Sequence, residues 1–580
     1  MACSIDDLDQ SVEHKIIMAA DFGTTTSGLA YAQTRKPEIQ STVIQWPDAT
    51  SGGLEGATSD KVPTEIQYDD QGYKWGFQIP EFGQRHQWFK LGLDPSKSLG
   101  NSDLAKKYPD FNASPPAYTH NPEELVKDYL TALRCHAERV LRHKLPQSAL
   151  ATTPVEYVIT IPAVWSDRAQ ASTRRCAEQA GMGTGSSLHI ISEPEAAAMY
   201  ALDAMDPHNI KVGDTFVLCD AGGGTVDLIS YKVSQLKPLL RVEEAAPGSG
   251  SLCGASFLNR IFQKFLADRF SADPNWDEDV LEEAMKRFEV TVKRSYHGNP
   301  NDEYQIPVPG LRDNPACGVR RGRLRLIGSD VGKIFEPVVK EVISLVKGQI
   351  AATKADVKAV LMVGGFGQSV FLRDSIRSAV ADQGIEVMQS PNGWTAIVRG
   401  ALMKGLASTN QSFTAVRISG RSARKSYGIN VTGPFQGRIH DISRRFWSDA
   451  DGDYRIKTIG WFIRKGEIVE EDKPKRVYYY RISPTCNPPP AEVRVAIDMC
   501  ADTDNTGPSF YRDARVCKLV EVSADLSRIP TYKIPKILGA DGLEYYKIKY
   551  AIEITFCSAY TKYELIHDNV NYGPVTAEYV

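Results

Sequence analysis

The chain has 580 residues, which at roughly 150 residues per domain corresponds to about four domain-sized units rather than one packed core. With 42% hydrophobic and 24% charged residues it sits at globular averages, which excludes a disordered, collagen-like or coiled-coil chain. Lys plus Arg number 68 against 71 Asp plus Glu, a net charge of -3, so no overall bias draws the chain to polyanions or lipid surfaces, and neither nucleic acid nor membrane is expected as a partner.

The 10 cysteines are scattered without a Cys-x-x-Cys pair, so reduced thiols are expected and neither a zinc ribbon nor a disulfide frame. The first residues carry Asp6, Asp7 and Asp9 instead of a basic segment before an apolar one. No apolar run approaches the roughly 18 residues of a membrane span, and a cytoplasmic protein, or one of the nucleus, is expected.

In chain order, the apolar run from Lys15 to Ala20 breaks at Asp21-Phe22-Gly23-Thr24-Thr25-Thr26-Ser27-Gly28 and resumes at Leu29, a strand, turn, strand pattern. Asn121 as cap and Pro122 at the first position announce a helix with Leu125, Tyr129 and Leu133 on one stripe. A buried strand from Tyr157 to Ile161, a polar helix from about Ser166 to Gly181, a strand near His189 to Ile191 and a helix opened by Ser192-Glu193-Pro194 follow. Thr215 to Cys219 then leads into Asp220-Ala221-Gly222-Gly223-Gly224-Thr225-Val226-Asp227, the first arrangement over again. A helix from Ser329 and a strand from Lys358 to Val363, broken by Gly364-Gly365-Phe366-Gly367, complete an alternation that predicts an α/β sheet architecture with an internal duplication.

From about Ser412 helical periodicity gives way to alternation. Val493, Val495, Ile497 and Met499 oppose Glu492, Arg494 and Asp498, and Tyr546, Ile548, Tyr550, Ile552, Ile554 and Phe556 oppose Lys547, Lys549 and Glu553. The last part is therefore expected to be a β domain, with Pro488 to Pro490 and Asp502 to Gly507 as loops.

A tight Gly and Thr turn between strands exposes several backbone N–H groups in one concavity, which suits a phosphate chain. Each turn also begins with an aspartate, and two carboxylates facing one another across a cleft can hold magnesium through its waters; Asp21, Asp220 and Asp227 are the candidates. Three look-alikes are set aside. Asp21-Phe22-Gly23 spells the magnesium triplet of protein kinases, but only twenty residues precede it. Gly328 to Ile334 departs from the P-loop spacing, and Cys135 beside His136 has no further ligand spaced to complete a metal site. The Arg320 to Arg325 and Arg417 to Lys425 clusters are read as solvated faces.

The residues resemble the nucleotide-binding domain shared by actin, sugar kinases and the heat-shock protein 70 family, most closely the last, over about residues 15 to 408. Asp21-Phe22-Gly23-Thr24-Thr25 is similar to the first phosphate motif, Asp220 to Asp227 to the second and Val363-Gly364-Gly365 to the adenosine motif. Ile161-Pro162-Ala163 and Glu193 to Ala198 are similar to the family's connecting segments, and the chain most resembles the divergent branch typified by heat-shock 70 kDa protein 12A-like proteins, a likeness supported by Ser426-Tyr427-Gly428.

The resemblance implies duplicated actin-like, ribonuclease H-like ATPase lobes and a C-terminal β-sandwich-like domain. Their bounds would be an N-terminal extension 1–14, lobe I 15–206, lobe II 207–408, a linker 409–425 and a β-rich domain 426–580. It implies ATP or ADP with magnesium as ligands. Gly23, Thr24, Thr25, Gly222, Gly223, Gly224, Thr225 and Gly254 would line the phosphates, and Asp21 and Asp220 would hold magnesium through water. Glu193 and Asp227 would position the attacking water, completing a catalytic set of Asp21, Glu193, Asp220 and Asp227. Lys293, Arg294, Gly364, Gly365 and Phe366 would surround the base.

Two departures stand out. Counting four residues from Gly76 to the family's phosphoryl-stabilising lysine reaches Pro80, with Lys74 or Lys90 as substitutes. Gln368 falls where the second adenine-stacking arginine belongs, and Phe366 beside it either restores the stacking or packs the lobe core. The implied activity is slow ATP hydrolysis coupled to binding of a protein or peptide client through the β domain, with co-chaperones as partners. The alternatives are a nucleotide-dependent scaffold with little hydrolysis and a small-molecule kinase of the same superfold. Neither the helical lid, the Glu-Glu-Val-Asp tail nor the leucine-rich linker of the family is found.

Overall fold

The computed structural model describes residues 13–47, 58–80, 85–94, 103–109, 120–163, 165–205, 210–470, 473–500, 508, 510 and 512–579. The acidic start of the chain and the 502–507 loop lie outside them. The chain divides into two compact units, Met1–Ile418 and Ser419–Val580.

The first unit is built on two mixed sheets whose central strands are apolar on both faces. Ile16–Phe22 is buried at every position and lies between Thr26–Gln33, antiparallel, and Val155–Ile161, parallel, with Leu188–Ser192 beyond. Thr215–Ala221 is likewise wholly buried between antiparallel Val226–Gln235 and parallel Val357–Val363, with Glu386–Gln389 beyond. Burial of both faces accounts for continuous apolar runs where a half-exposed strand would alternate.

Two small-residue helices lie against both sheets. Glu193–Met205 and Ala396–Thr409 share a core with Ile17, Ala19 and Val158 of one sheet and Phe216, Leu218 and Leu361 of the other. Their approach is set by Gly400, where a Cβ would stand 1.7 Å from the Ala196 carbonyl oxygen. The helix Pro122–Lys144, capped by the Asn121 side chain on the Glu123 amide, buries Leu125, Tyr129 and Leu133. Asp167–Gln179, capped by Ser166, and Gly328–Thr353 also form; the second absorbs the P-loop look-alike.

The second unit is β-rich. One antiparallel sheet contains Ser426–Pro434, Glu492–Cys500 and Val516–Asp525, another Lys475–Pro484, Glu544–Phe556 and Thr561–His567, and both contribute to one core of Ile429, Val493, Ile497, Val520, Ile548, Ile552 and Leu565. The expected alternation breaks at Asp498. It is buried, accepts a hydrogen bond from Asn430 Nδ2 at 2.8 Å, and follows a register shift after Ile497 that turns it from the exposed side. No helix among the described residues is long and apolar enough to cross a membrane.

Candidate functional site

The two acidic hairpins are equivalent in register. Asp21 pairs with Gly28 across the first, and Asp220 with Asp227 across the second, seven residues apart in each. Their tips face one another: a Cβ on Gly223 would stand 2.1 Å from Thr25 Oγ1, and one on Gly224 3.1 Å from Thr24 Cγ2. The second tip is tight, with the Gly222 amide donating to the Thr225 carbonyl at 3.0 Å. It is also backed by the helix Ser256–Phe270. Gly254, Ala255 and Ser256 amides donate to the Gly224, Gly222 and Gly223 carbonyls, and a Cβ on Gly254 would meet Gly223 O at 2.4 Å. Gly23 approaches Thr26 O closely enough that a Cβ there would stand 2.2 Å away.

Four buried carboxylates gather behind the tips. Asp21, Glu193, Asp220 and Asp227 are each less than a tenth exposed. Asp220 Oδ1 is buried with no hydrogen-bond partner. Burial first, then the charges of Glu193, Asp227 and Asp21, hold the Asp220 carboxyl well above the usual carboxylate range, against the pull of Lys61. Burial likewise raises Glu193, with Lys90 opposing and Asp21 adding to the rise. A cation or a proton belongs at Asp220, because an isolated buried charge is costly.

Two lysines enter this acidic pocket. Lys90 sits at 0% exposure on the short turn Phe89–Leu93, donating to Glu193 Oε1 at 2.6 Å and to the Phe22 carbonyl. Its ammonium lies 5.2 Å from the Phe22 ring and 5.4 Å from that of Trp165. The anchor is aromatic: Phe89 is fully buried against Phe22 and Tyr129. Lys74, in contrast, pairs distantly with Asp69 at 3.8 Å and is half-exposed, while Pro80 is exposed and its carbonyl holds Arg85. Of the two lysines named as substitutes for Pro80, Lys90 meets Glu193 and Lys74 does not.

Lys61 was not singled out by the sequence at all. Its ammonium donates to Asp21 Oδ2 at 2.7 Å, while the Thr160 hydroxyl donates to Oδ1 at 3.0 Å. No local pattern marks it. Only the pairing of Ser27 with Val62 carries the Lys61 backbone to this level of the sheet.

The base-proximal residues divide. Gly364, at φ +83°, turns under the second hairpin, where a Cβ would meet the Ala221 carbonyl at 2.3 Å and Asp220 Oδ1 at 2.6 Å. Lys293 is turned inward, donating to Asn259 Oδ1 at 3.1 Å and to Glu289. Its neighbour Arg294 lies with its guanidinium 5.4 Å from the Trp394 ring. Phe366 is 4% exposed and packs in the lobe core beside Phe335, the packing role being the one these contacts favour. The aromatic ring next to Gly365 is that of half-buried Trp394, which lies 29 positions further along the chain and outside any local motif. His136 stacks on Trp46 and bonds the Gln45 carbonyl, a structural arrangement.

The residues suit an outer-sphere ion on one side only. Asp220 has an orphaned buried oxygen, whereas each oxygen of Asp21 accepts one hydrogen bond, one of them from an ammonium that balances its charge. Among the described residues no group of three or more His, Cys, Asp or Glu side chains is placed to hold a metal ion.

Facing acidic hairpins on two mixed sheets, with helices shared between them, define the actin-like ATPase class of fold. The Hsp70 protein family profile matches residues 106–439, and a profile described as a domain of unknown function matches residues 421–535. The chain is 23% identical to human heat shock 70 kDa protein 12A over 525 residues, covering 74% of each chain, and 23% identical to human heat shock 70 kDa protein 12B over 513 residues, covering 73% and 72%. It is also 23% identical over 393 residues to a chaperone protein HscA homolog of Acinetobacter baumannii, covering 64% of this chain and 55% of that one. The chain belongs to the Hsp70 family. It is accordingly a divergent, Hsp70-like ATP-binding protein of a chaperone-related family whose ATPases generally bind nucleotide with magnesium.

Proposed function

We propose that the chain is a slow ATPase in which residues 15–206 and 207–408 act as duplicated actin-like lobes, and that hydrolysis is coupled to binding of a protein or peptide segment by a β-sandwich-like domain at 426–580. The observation that carries the reading is the convergence of four buried carboxylates and Lys90 behind two Gly–Thr tips that face each other.

In this reading the amides of Thr24, Thr25, Gly223 and Thr225 and the threonine hydroxyls hold the phosphates, with Gly222 closing the turn. Glu193 and Asp227 orient a water in line with the terminal phosphorus; the bond to the bridging oxygen breaks and ADP and phosphate leave. Lys90, held 2.6 Å from Glu193, supplies a positive charge beside the transferring group as negative charge develops there. Asp220 and Asp227 would hold a water-shelled magnesium ion, which would supply charge neutralisation at the phosphates. Arg294 and Trp394 flank the base.

In the β-rich unit the outer strand Lys475–Pro484 pairs with Glu544–Phe556, and strand addition is a means of holding an extended segment. Calorimetry of ATP and ADP with and without magnesium, followed by single-turnover hydrolysis, tests the nucleotide part. A preparation that binds ATP yet cleaves it no faster than an Asp220→Ala control removes the ATPase reading and leaves a nucleotide-dependent scaffold.

A further inference from the structure

The two hairpins match in register but not in charge. Where the second carries a carboxylate opposite Asp220, the first carries Gly28 opposite Asp21. Ser27 pairs with Val62 on the next strand, so Lys61 stands level with Gly28. A Cβ on Gly28 would lie 3.4 Å from Lys61 Cγ and 3.7 Å from Cε, so the lysine stem runs across the glycine and carries its ammonium over one strand to the next. It ends 2.7 Å from Asp21 Oδ2, with the two side chains 8% and 1% exposed. An alanine at 28 would touch the stem at ordinary van der Waals distance, and a longer side chain would obstruct this path.

The consequence is an asymmetric acidic pocket. Asp21 is neutralised by an ammonium on one oxygen and satisfied by the Thr160 hydroxyl on the other. An aspartate so engaged keeps free lone pairs, but its charge is already balanced by the ammonium, so it draws a metal-bound water less strongly than an unpaired carboxylate does. Asp220, across the cleft, keeps a buried oxygen with no partner. Lys90 does for Glu193 what Lys61 does for Asp21, so of the four carboxylates two face fixed lysines. A polyphosphate entering between the tips meets a hairpin whose charge is already cancelled on the Thr24–Thr25 side.

We infer that Lys61 is a built-in counter-cation that takes over at Asp21 the place of a water-shelled metal ion, confines the divalent ion to the Asp220 and Asp227 side, and leaves nucleotide binding only weakly dependent on magnesium. The inference rests on the nucleotide site proposed above. Loss of a compact buried charge next to the phosphates is large on the electrostatic scale of such sites, so its removal is readable as a fold-change in metal dependence.

The test is calorimetry of the full-length chain with ADP, in EDTA and at saturating magnesium, for wild type, Lys61→Gln, Lys61→Met and Lys61→Arg. ADP avoids turnover, and Lys61→Gln retains a donor to Asp21, so it keeps the fold where Lys61→Met leaves a buried unpaired carboxylate. Expected is less than about a tenfold change in wild-type affinity on adding magnesium, a further increase of at least about tenfold in that ratio for Lys61→Gln through weakened metal-free binding, and the wild-type ratio for Lys61→Arg. A folded Lys61→Gln with the wild-type ratio overturns the inference alone. So does an equal loss with and without metal, which makes Lys61 a direct phosphate ligand, and so does wild-type binding that needs magnesium outright. Absence of ADP binding by wild type under both conditions overturns the nucleotide site itself and the inference with it.

Discussion

Replacing Lys90 by methionine keeps much of the side chain's bulk and deletes the ammonium that pairs with Glu193 at 2.6 Å, on a lysine at 0% exposure. Removing one partner of a buried pair costs about 3–5 kcal/mol, because the other charge stays buried and uncompensated. Glu193 has an escape, which is to take a proton. Burial already raises its carboxyl above the ordinary 4.5, and Lys90 is the main influence lowering it, so the variant raises it further. The folded value then exceeds the unfolded one. The penalty is complete above the folded value and disappears as pH falls toward 4.5, at about 1.4 kcal/mol per unit of pH.

Lys90→Met is therefore expected to cost ~3 kcal/mol at pH 8 and under ~1 kcal/mol near pH 5. The double variant Lys90→Met, Glu193→Gln is expected to recover at least ~2 kcal/mol of the loss at pH 8. Urea unfolding at pH 5, 6.5 and 8, with amide exchange of the strand Ile16–Phe22 as the local readout, measures all three. A Lys90→Met protein as stable as wild type at pH 8, or one whose penalty grows on acidification, refutes the reasoning.

Gly254→Ala is expected to destabilise the second hairpin by ~2–3 kcal/mol, more than Gly223→Ala. The added carbon at 254 meets backbone at 2.4 Å, whereas at 223 it meets the Thr25 side chain, which can rotate; thermal melts of the two variants give the order. Trp394→Ala is expected to weaken ADP binding by about tenfold through loss of a stacking face, with inorganic tripolyphosphate affinity unchanged; equal effects on both ligands would contradict a base contact. In the β-rich unit, burial raises Asp498 to about 6 from an ordinary 3.8, so its ionisation opposes folding above that range and not below 3.8. Asp498→Asn should raise the melting temperature at pH 7.5, by the equivalent of ~1–2 kcal/mol after solvent screening, and change it little at pH 4.

The local grammar of the fold was legible in the chain alone. Each acidic hairpin is a contiguous stretch whose apolar flanks, glycines and aspartates act on one another within eight residues, so Asp21 and Asp220 could be placed at strand ends and the helix at Pro122 could be started at its cap. What the sequence could not reveal was which distant charges meet those aspartates. Lys61 reaches Asp21 across 40 positions and Lys90 reaches Glu193 across 103, each carried there by strand pairing or by an aromatic anchor and by no local pattern. The same limit hid Trp394 beside Gly365 and the core packing of Phe366, because a half-buried and a core-facing aromatic look alike until the sheet beneath them is known. Local propensity acts through near neighbours, whereas the charge balance of a buried cleft is a property of groups brought together only by tertiary packing.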